Sequence, residues 1–292
     1  MTTNPIFFIL FLGLLSIFPH QSLANFETTY NVLDLGAKGD GKKDSTNALS
    51  KAWSLACSST KSSTIYVPQG RFLLRSLHFK GPCHNKAITV RIDGTLVAPP
   101  DYNARNWLLF EGADGVSVIG GTLDGQGAAL WACKKSGKNN CPSGATTLGI
   151  VKSKNMAIIG LTSLNSQMFH IVMNGIGSLG KDYEEAGVQN VTVKSVRFKN
   201  TQNGVRIKTW GDQAKVSGVK ISHVTYQDIQ GTSATQVAVK FDCSKGNPCQ
   251  GIKLENVKLR YKDQKAEASC SNAAVGSDRT HKLFVLSKQN KN

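Results

Sequence analysis

Two basic residues, Arg206 and Lys208, alternate with Val205 and Ile207 in a short segment that ends at Trp210. Alternate residues of a β-strand point to the same face and lie about 6.6 Å apart. Arginine can bind a carboxylate through two parallel hydrogen bonds, while lysine acts as a point charge. The segment therefore predicts a binding site for a carboxylate-bearing ligand, with Trp210 placed to stack on a ring.

A repeated pattern of short strands must position this segment. The alternating apolar pattern Val-x-Val-x-x-Val-x-Phe of residues 191–198 is copied at 219–226 and 252–259, with shorter or looser copies at 156–161 and 116–123. A fixed motif with variable spacing indicates stacked coils whose loops differ in length. The segments are short and lack a helical period, and the Leu/Asn pattern of leucine-rich repeats is missing. The sequence therefore predicts an all-β parallel β-helix.

The two residues Lys194 and Ser195 interrupt the alternation within the first of these copies. A two-residue β-hairpin normally needs Gly, Asn or Asp at its turn, and neither residue is of that type. We therefore expect the chain to bend a corner here and to continue around the coil.

The N-terminus carries a targeting signal. Ile6 to Phe18 is almost entirely apolar, and Ser22-Leu23-Ala24 offers a small-residue cleavage site. We predict a signal peptide over residues 1–24, a β-helix domain over 25–272 and an aberrant or disordered tail over 273–292. No later apolar run is long enough to cross a membrane.

A short amphipathic helix is predicted after the possible N-cap residues Asp44 and Ser45. Its apolar residues fall on one helical face. They are Ala48, Leu49, Ala52, Trp53 and Ala56. This helix would close the open end of the solenoid core.

The formal net charge of +16 favours a polyanionic partner. Nucleic acid is disfavoured, because the lysines are scattered, no aromatic residues are interleaved with them and the chain is expected to be secreted. An acidic polysaccharide fits better, and the alternative is that the charge only keeps an extracellular protein in solution.

Seven cysteines in a secreted chain indicate disulfides with one cysteine left over. Spacing between nearest neighbours predicts the pairs Cys57–Cys83, Cys133–Cys141 and Cys243–Cys249, which leaves Cys270. No Cys-x-x-Cys or His-x-His spacing supports a metal site, and we predict neither a metal nor a cofactor.

Seven short motifs stand in a definite order along the chain. They are Leu-Gly-Ala-Lys-Gly-Asp-Gly at 35–41, Ile-Tyr-Val-Pro-Gln-Gly at 65–70, Lys-Gly-Pro-Cys at 80–83, Asp-Gly-Thr-Leu at 93–96, Gly-Gly-Thr-Leu-Asp-Gly-Gln-Gly at 120–127, Leu-Asn-Ser-Gln-Met-Phe-His at 164–170 and Arg-Ile-Lys at 206–208. In kind and order these motifs resemble those of plant polygalacturonases, and the resemblance extends over nearly all of residues 30–272.

The resemblance implies a right-handed parallel β-helix, inverting hydrolysis of the homogalacturonan of pectin, and a secreted monomer of the plant cell wall. In this family the Arg-Ile-Lys motif binds substrate, so the resemblance assigns substrate binding to Arg206 and Lys208.

The catalytic motifs of the family are absent. Asn-Thr-Asp, Gly-Asp-Asp and Gly-His-Gly do not occur, and the sequence contains no Asp-Asp pair. Segments that flank these motifs in the family are fused at Gly175-Ile176, so roughly three coils are missing. A second contraction follows at 211–215. No catalytic residue is therefore assigned, and we expect a polygalacturonase-like protein with impaired hydrolysis.

Other carboxylates could in principle replace the missing ones: Asp182, Glu184 and Glu185 precede the Arg206 strand, and Asp212 follows it. On loops beside cations they would form ordinary surface ion pairs, whereas catalysis needs two carboxyl groups held across one bond. His170 follows an apolar turn and is predicted to be structural. The alternatives are an active enzyme whose sequence is incomplete at the junction, or a non-catalytic galacturonan-binding wall protein.

Overall fold

Three sheets of short strands form the protein in a computed structural model that describes residues 27–100, 104–173, 188–199, 203–208, 221–233, 236–243, 248–277 and 285–287. The predicted signal peptide, the Gly175-Ile176 junction and the contraction at 211–215 lie outside these residues.

From β3 to β24 the strands follow one another from sheet A to sheet B to sheet C in each successive coil, whereas β1 and β2 belong to a first coil without a described strand of sheet C. Sheet A consists of β1 (Thr28–Asn31), β3 (Ser63–Val67), β6 (Ile88–Ile92), β9 (Asp114–Ile119), β12 (Lys154–Ile159), β15 (Val188–Lys194), β18 (Ile221–Gln227), β21 (Cys249–Glu255) and β25 (Ala273–Ser277). Sheet B consists of β2 (Asp40–Asp44), β4 (Arg71–Leu73), β7 (Thr95–Val97), β10 (Thr122–Asp124), β13 (Thr162–Leu164), β16 (Arg197–Lys199), β19 (Gln230–Ser233), β22 (Lys258–Tyr261) and β23 (Gln264–Lys265). Sheet C consists of β5 (Leu77–Lys80), β8 (Asn106–Glu111), β11 (Thr146–Val151), β14 (Phe169–Met173), β17 (Asn203–Lys208), β20 (Val237–Asp242), β24 (Glu267–Ser271) and β26 (Val285–Ser287). The two helices are α1 (Thr46–Ser58) and α2 (Ala128–Lys135).

Every pairing in the three sheets is parallel except that of β22 with β23. The core lies between the sheets and is built from columns of aligned apolar residues. One column of sheet A runs through Val118, Ile158, Val193, Tyr226 and Leu254, all of them buried. The predicted parallel β-helix is confirmed, because parallel strands stack coil upon coil in three sheets around this shared interior.

The corner between sheets A and B uses a left-handed backbone conformation in successive coils. Ser195 has a φ of +54°, and the same corner holds Gly120, Gly160, Asp228 and Asn256 with φ between +49° and +72°. The predicted bend at Lys194-Ser195 is therefore confirmed. An amide–carboxylate hydrogen bond of 2.7 Å from Asn256 to Asp228 links two neighbouring corners.

The phase of one predicted repeat copy is wrong. Val191 and Val193 align with Val224 and Tyr226, rather than with Val219 and Ile221 as the pattern at 219–226 implied. The true copy occupies 224–231, and Gly231 stands opposite Phe198. Because glycine replaces the last apolar residue of the motif, the overlapping copy five residues earlier matched the pattern better.

Helix α1 and the disulfides agree with the sequence. The buried face of α1 consists of the five predicted residues, and the carboxylate of Asp44 accepts a hydrogen bond from the backbone N–H of Thr46. The three predicted disulfides are present, and Cys270 is a buried free cysteine.

Two strands lie in the segment 273–292, which the sequence predicts to be an aberrant or disordered tail. β25 pairs with β21 and β26 pairs with β24, so these strands extend sheets A and C. The domain boundary at 272 otherwise remains a prediction. Neither helix in the described residues has the length and apolar character that crossing a membrane requires.

Candidate functional site

The predicted binding residues lie on β17 in the middle of sheet C. Arg206 is aligned with Val172 of β14 and with Lys240 of β20, and Lys208 is aligned with Asp242. The side chains of β17 are outside the described part of the chain, and so is Trp210. The register nevertheless places both basic residues in the columns that alternate with the buried column of Met173 and Phe241.

Lys240 and Asp242 also lie in these columns, and the sequence analysis did not predict them as site residues. The segment Val237-Ala-Val-Lys-Phe-Asp242 repeats the alternation of Val205-Arg-Ile-Lys208, with a lysine opposite Arg206 and an aspartate opposite Lys208. The signal was available, because both strands follow a copy of the repeat. The incorrect phase of the copy at 219–226 hid the correspondence.

The outer face of sheet C is covered at β11. Thr147 and Val151 alternate with the inward residues Leu148 and Ile150, yet both are buried. Nearby, the excursion between β10 and β11 contains α2 and the Cys133–Cys141 disulfide, and the indole N–H of Trp131 donates to the carbonyl of Ser166 at 2.7 Å. An extended ligand on sheet C would therefore lie toward β17 and β20.

The acidic residues of sheet C in the described chain are Glu111, Asp242 and Glu267. Glu267 is aligned with Val237 and Asp242 with Ser271, so the two acids are four to five residues, or about 13–16 Å, apart along the strand direction. Glu111 is on β8, four strands from Asp242, or about 19 Å away. Inverting glycosidases hold their two carboxyl groups about 6.5–9.5 Å apart. The described part of sheet C therefore contains no such pair.

The four replacement carboxylates considered from the sequence, Asp182, Glu184, Glu185 and Asp212, lie outside the described residues. Within the described residues, no group of His, Cys, Asp or Glu side chains is arranged to hold a metal ion. Glu111 makes a 2.8 Å contact with the imidazole of His78, so its carboxylate is already paired.

His170 is structural, as predicted. Its side chain is fully buried, and its Nδ1 lies 2.8 Å from the hydroxyl of Ser163, which is also buried. The imidazole packs against the ring of Phe198 at 5.1 Å between centroids. Burial lowers the pKa of His170 from 6.5 to about 3, with slight opposition from the backbone of Lys199. A neutral, buried imidazole cannot reach a ligand on the outer surface.

The burial of His170 predicts a loss of stability in mild acid. The unfolded chain takes up a proton near pH 6.5, whereas the folded chain does not do so until about pH 3. Stability is therefore greatest above pH 6.5 and falls as the pH drops toward 3. We expect the free energy of unfolding in urea to fall by about 2 kcal/mol between pH 7 and pH 5.

His170→Gln is the matched control, because glutamine is neutral at both pH values and can still hydrogen-bond to Ser163. In this variant the unfolding free energy should be nearly equal at pH 7 and pH 5. An unchanged pH dependence would show that another group causes it.

A family model described as glycosyl hydrolases family 28 matches residues 57–175, 175–216 and 211–280. The segments meet at the junctions where the sequence suggests that coils are missing. A second model, rhamnogalacturonase A/epimerase, pectate lyase-like, matches residues 29–80.

Plant proteins are among the similar chains. A polygalacturonase of Prunus persica is 45% identical over 370 residues, covering 90% of this chain and 94% of the relative. Polygalacturonase-2 of Solanum lycopersicum is 30% identical over 354 residues, covering 83% of this chain and 77% of the relative. Both alignments are longer than the 292-residue chain, so the relatives carry internal residues that have no counterpart here.

Solved structures share the fold. A hyperthermoactive exopolygalacturonase from Thermotoga maritima superposes with a TM-score of 0.55 at 16% identity, covering 88% of this chain and 77% of the other. A glycosyl hydrolase from Parabacteroides merdae gives a TM-score of 0.55 at 17% identity, covering 80% and 98%. These structural matches show the fold, whereas the family model and the plant relatives identify the family: the chain belongs to glycosyl hydrolase family 28 and, within it, to the plant polygalacturonases.

Proposed function

We propose that this chain binds homogalacturonan on the outer face of sheet C and does not hydrolyse it, acting as a secreted, monomeric protein of the plant cell wall. The relatives named as polygalacturonases support this substrate class. The excess of basic residues supports a polyanionic ligand, since it raises the local concentration of an acidic polymer.

The spacing of acidic residues on sheet C carries the proposal. The acidic positions in the described part of sheet C are about 13 Å or more apart, and the sequence lacks the family's three catalytic motifs. By contrast, Arg206 and Lys208 are present in the sequence, on a strand that is paired on both sides within the sheet. Binding therefore has the residues that it needs, whereas hydrolysis lacks the acid and the base.

Replacing both basic residues of β17 should weaken binding. We expect Arg206→Ala with Lys208→Ala to raise the Kd for polygalacturonate by about 10²- to 10⁴-fold, because each substitution removes a hydrogen bond to a charged group worth about 1.5–3 kcal/mol. Isothermal titration with a defined oligogalacturonate measures this change.

Lys253→Ala is the control, because Lys253 is exposed on sheet A and its loss also lowers the net charge. Its Kd should remain within about twofold of the wild type, as expected for a charge remote from the ligand. Equal affinities for the wild type and the β17 double variant would exclude the proposed site.

A further inference from the structure

Four basic side chains share the outer surface of the last strands of sheet B. Arg197 and Lys199 lie on β16, and Lys258 and Arg260 lie on β22; all four are exposed. Phe198, which separates the first two, is 2% exposed and belongs to the core. We call these four residues the basic face of sheet B.

The register fixes the arrangement of the basic face. Arg197 and Lys258 are both aligned with Gln230 of the intervening strand β19, so they lie two strands, or about 9.6 Å, apart. Within each strand the two basic residues are separated by about 6.6 Å. The four residues therefore mark the corners of a rectangle, with the uncharged side chains of Gln230 and Thr232 exposed between them.

Nothing in the described chain neutralises this charge. None of the four side chains has an ion pair with Asp or Glu among the described residues; Arg260 only donates to the carbonyl oxygen of Asp263 at 3.2 Å. The first coils of the same sheet differ, because Arg71 lies 3.8 Å from Asp124. Like charges at this spacing repel one another, so the basic face does not stabilise the fold.

The shape and composition of the basic face indicate the type of ligand. Its charges are spread over about 10 Å of an open strand surface, which suits an extended polyanion better than a small anion that needs converging donors. Gln230 and Thr232 can exchange hydrogen bonds with hydroxyl groups. Single-stranded nucleic acids require aromatic side chains for base stacking, and the outward positions between the basic residues are glutamine and threonine.

We propose that the basic face of sheet B is a second binding site for a polyuronate chain, separate from the β17 site on sheet C. Carboxylates along the polymer pair with Arg197, Lys199, Lys258 and Arg260, and the sugar hydroxyls contact Gln230 and Thr232. This site does not depend on Arg206 or Lys208, because it lies on a different sheet.

The test removes four charges from the basic face. The variant Arg197→Gln, Lys199→Gln, Lys258→Gln, Arg260→Gln is compared with Lys51→Gln, Lys61→Gln, Lys135→Gln, Lys138→Gln, which lowers the net charge equally at exposed positions elsewhere. In affinity electrophoresis through polygalacturonate, we expect the first variant to lose affinity by about tenfold and the second by less than twofold, since each exposed ion pair contributes only modestly to binding. Equal losses would overturn the proposal, as would wild-type affinity in the first variant.

Two further measurements separate this proposal from the proposed function. If the sites are independent, adding Arg206→Ala and Lys208→Ala should multiply the loss. If Arg206→Ala and Lys208→Ala alone have no effect on affinity, the proposed β17 site fails, and the affinity of the fourfold glutamine variant still tests the basic face. Fully methyl-esterified pectin should show no dependence on the basic face, because its carboxylates are neutral. Tighter binding of a single-stranded oligonucleotide, lost in the same variant, would overturn the choice of a polyuronate.

Discussion

The purified chain is expected to release no reducing ends from polygalacturonate above the rate of a heat-denatured sample. General acid or base catalysis by a positioned carboxyl group contributes about 10²–10⁴-fold to a rate, and the sequence lacks the motifs that carry both groups in the family. We therefore expect turnover at least about 10⁴-fold below that of the Prunus persica polygalacturonase assayed in parallel. Ligand binding should persist under the same conditions, because it depends on the basic residues.

A chimera tests whether the missing coils cause this loss. The segment of the Prunus persica relative that has no counterpart here would be inserted between Gly175 and Ile176, where the family match divides. Restored hydrolysis would show that the rest of the helix can accept the catalytic coils, since each coil of a solenoid contacts only its neighbours. Turnover by the unaltered chain within tenfold of the relative would contradict the proposed loss of activity. If Asp182→Ala, Glu184→Ala and Glu185→Ala together then abolished that turnover, these carboxylates would be the ones that replace the family's catalytic acids.

The core and its closure could be predicted from the sequence because they depend on local patterns. Alternating apolar residues specify strands, a 3.6-residue period specifies α1, and each disulfide joins cysteines that are neighbours in the order of cysteines along the chain. The phase of one repeat could not be predicted, since Gly231 weakens the pattern and tertiary pairing decides which residues align. Strand register depends on pairing between distant segments, and this sequence matches the repeat pattern almost equally well at 219–226 and at 224–231.

The candidate site was only partly predictable for the same reason. Arg206 and Lys208 are separated by one residue in the sequence, so their spacing on a strand follows from geometry alone. Asp242 and Lys240 join them only through the pairing of β17 with β20. The basic face of sheet B likewise combines two strands that are separated by some sixty residues and brought together by the stacking of coils.

The largest loss of stability is expected from Trp53→Ala in helix α1. Trp53 is 5% exposed and packs edge-on against Phe79 and Phe110, with ring centroids 5.1 Å and 5.7 Å away. Its indole N–H donates to the carbonyl of Lys80 at 3.1 Å. Replacing a buried tryptophan by alanine removes this packing and leaves a cavity, so the unfolding free energy in urea should fall by about 3–5 kcal/mol.

Leu55→Ala is the matched control, because Leu55 lies on the same helix and is 37% exposed. It should change the unfolding free energy by no more than about 0.5 kcal/mol, as is usual for surface substitutions. Trp53→Phe should fall between the two, since it keeps an aromatic ring but loses the hydrogen bond to Lys80. The physical reason is that α1 caps the first coil, so the loss of Trp53, which anchors α1, exposes the end of the core to water. If Trp53→Ala and Leu55→Ala were equally stable, α1 would be a surface attachment and the first coil would be closed by other contacts.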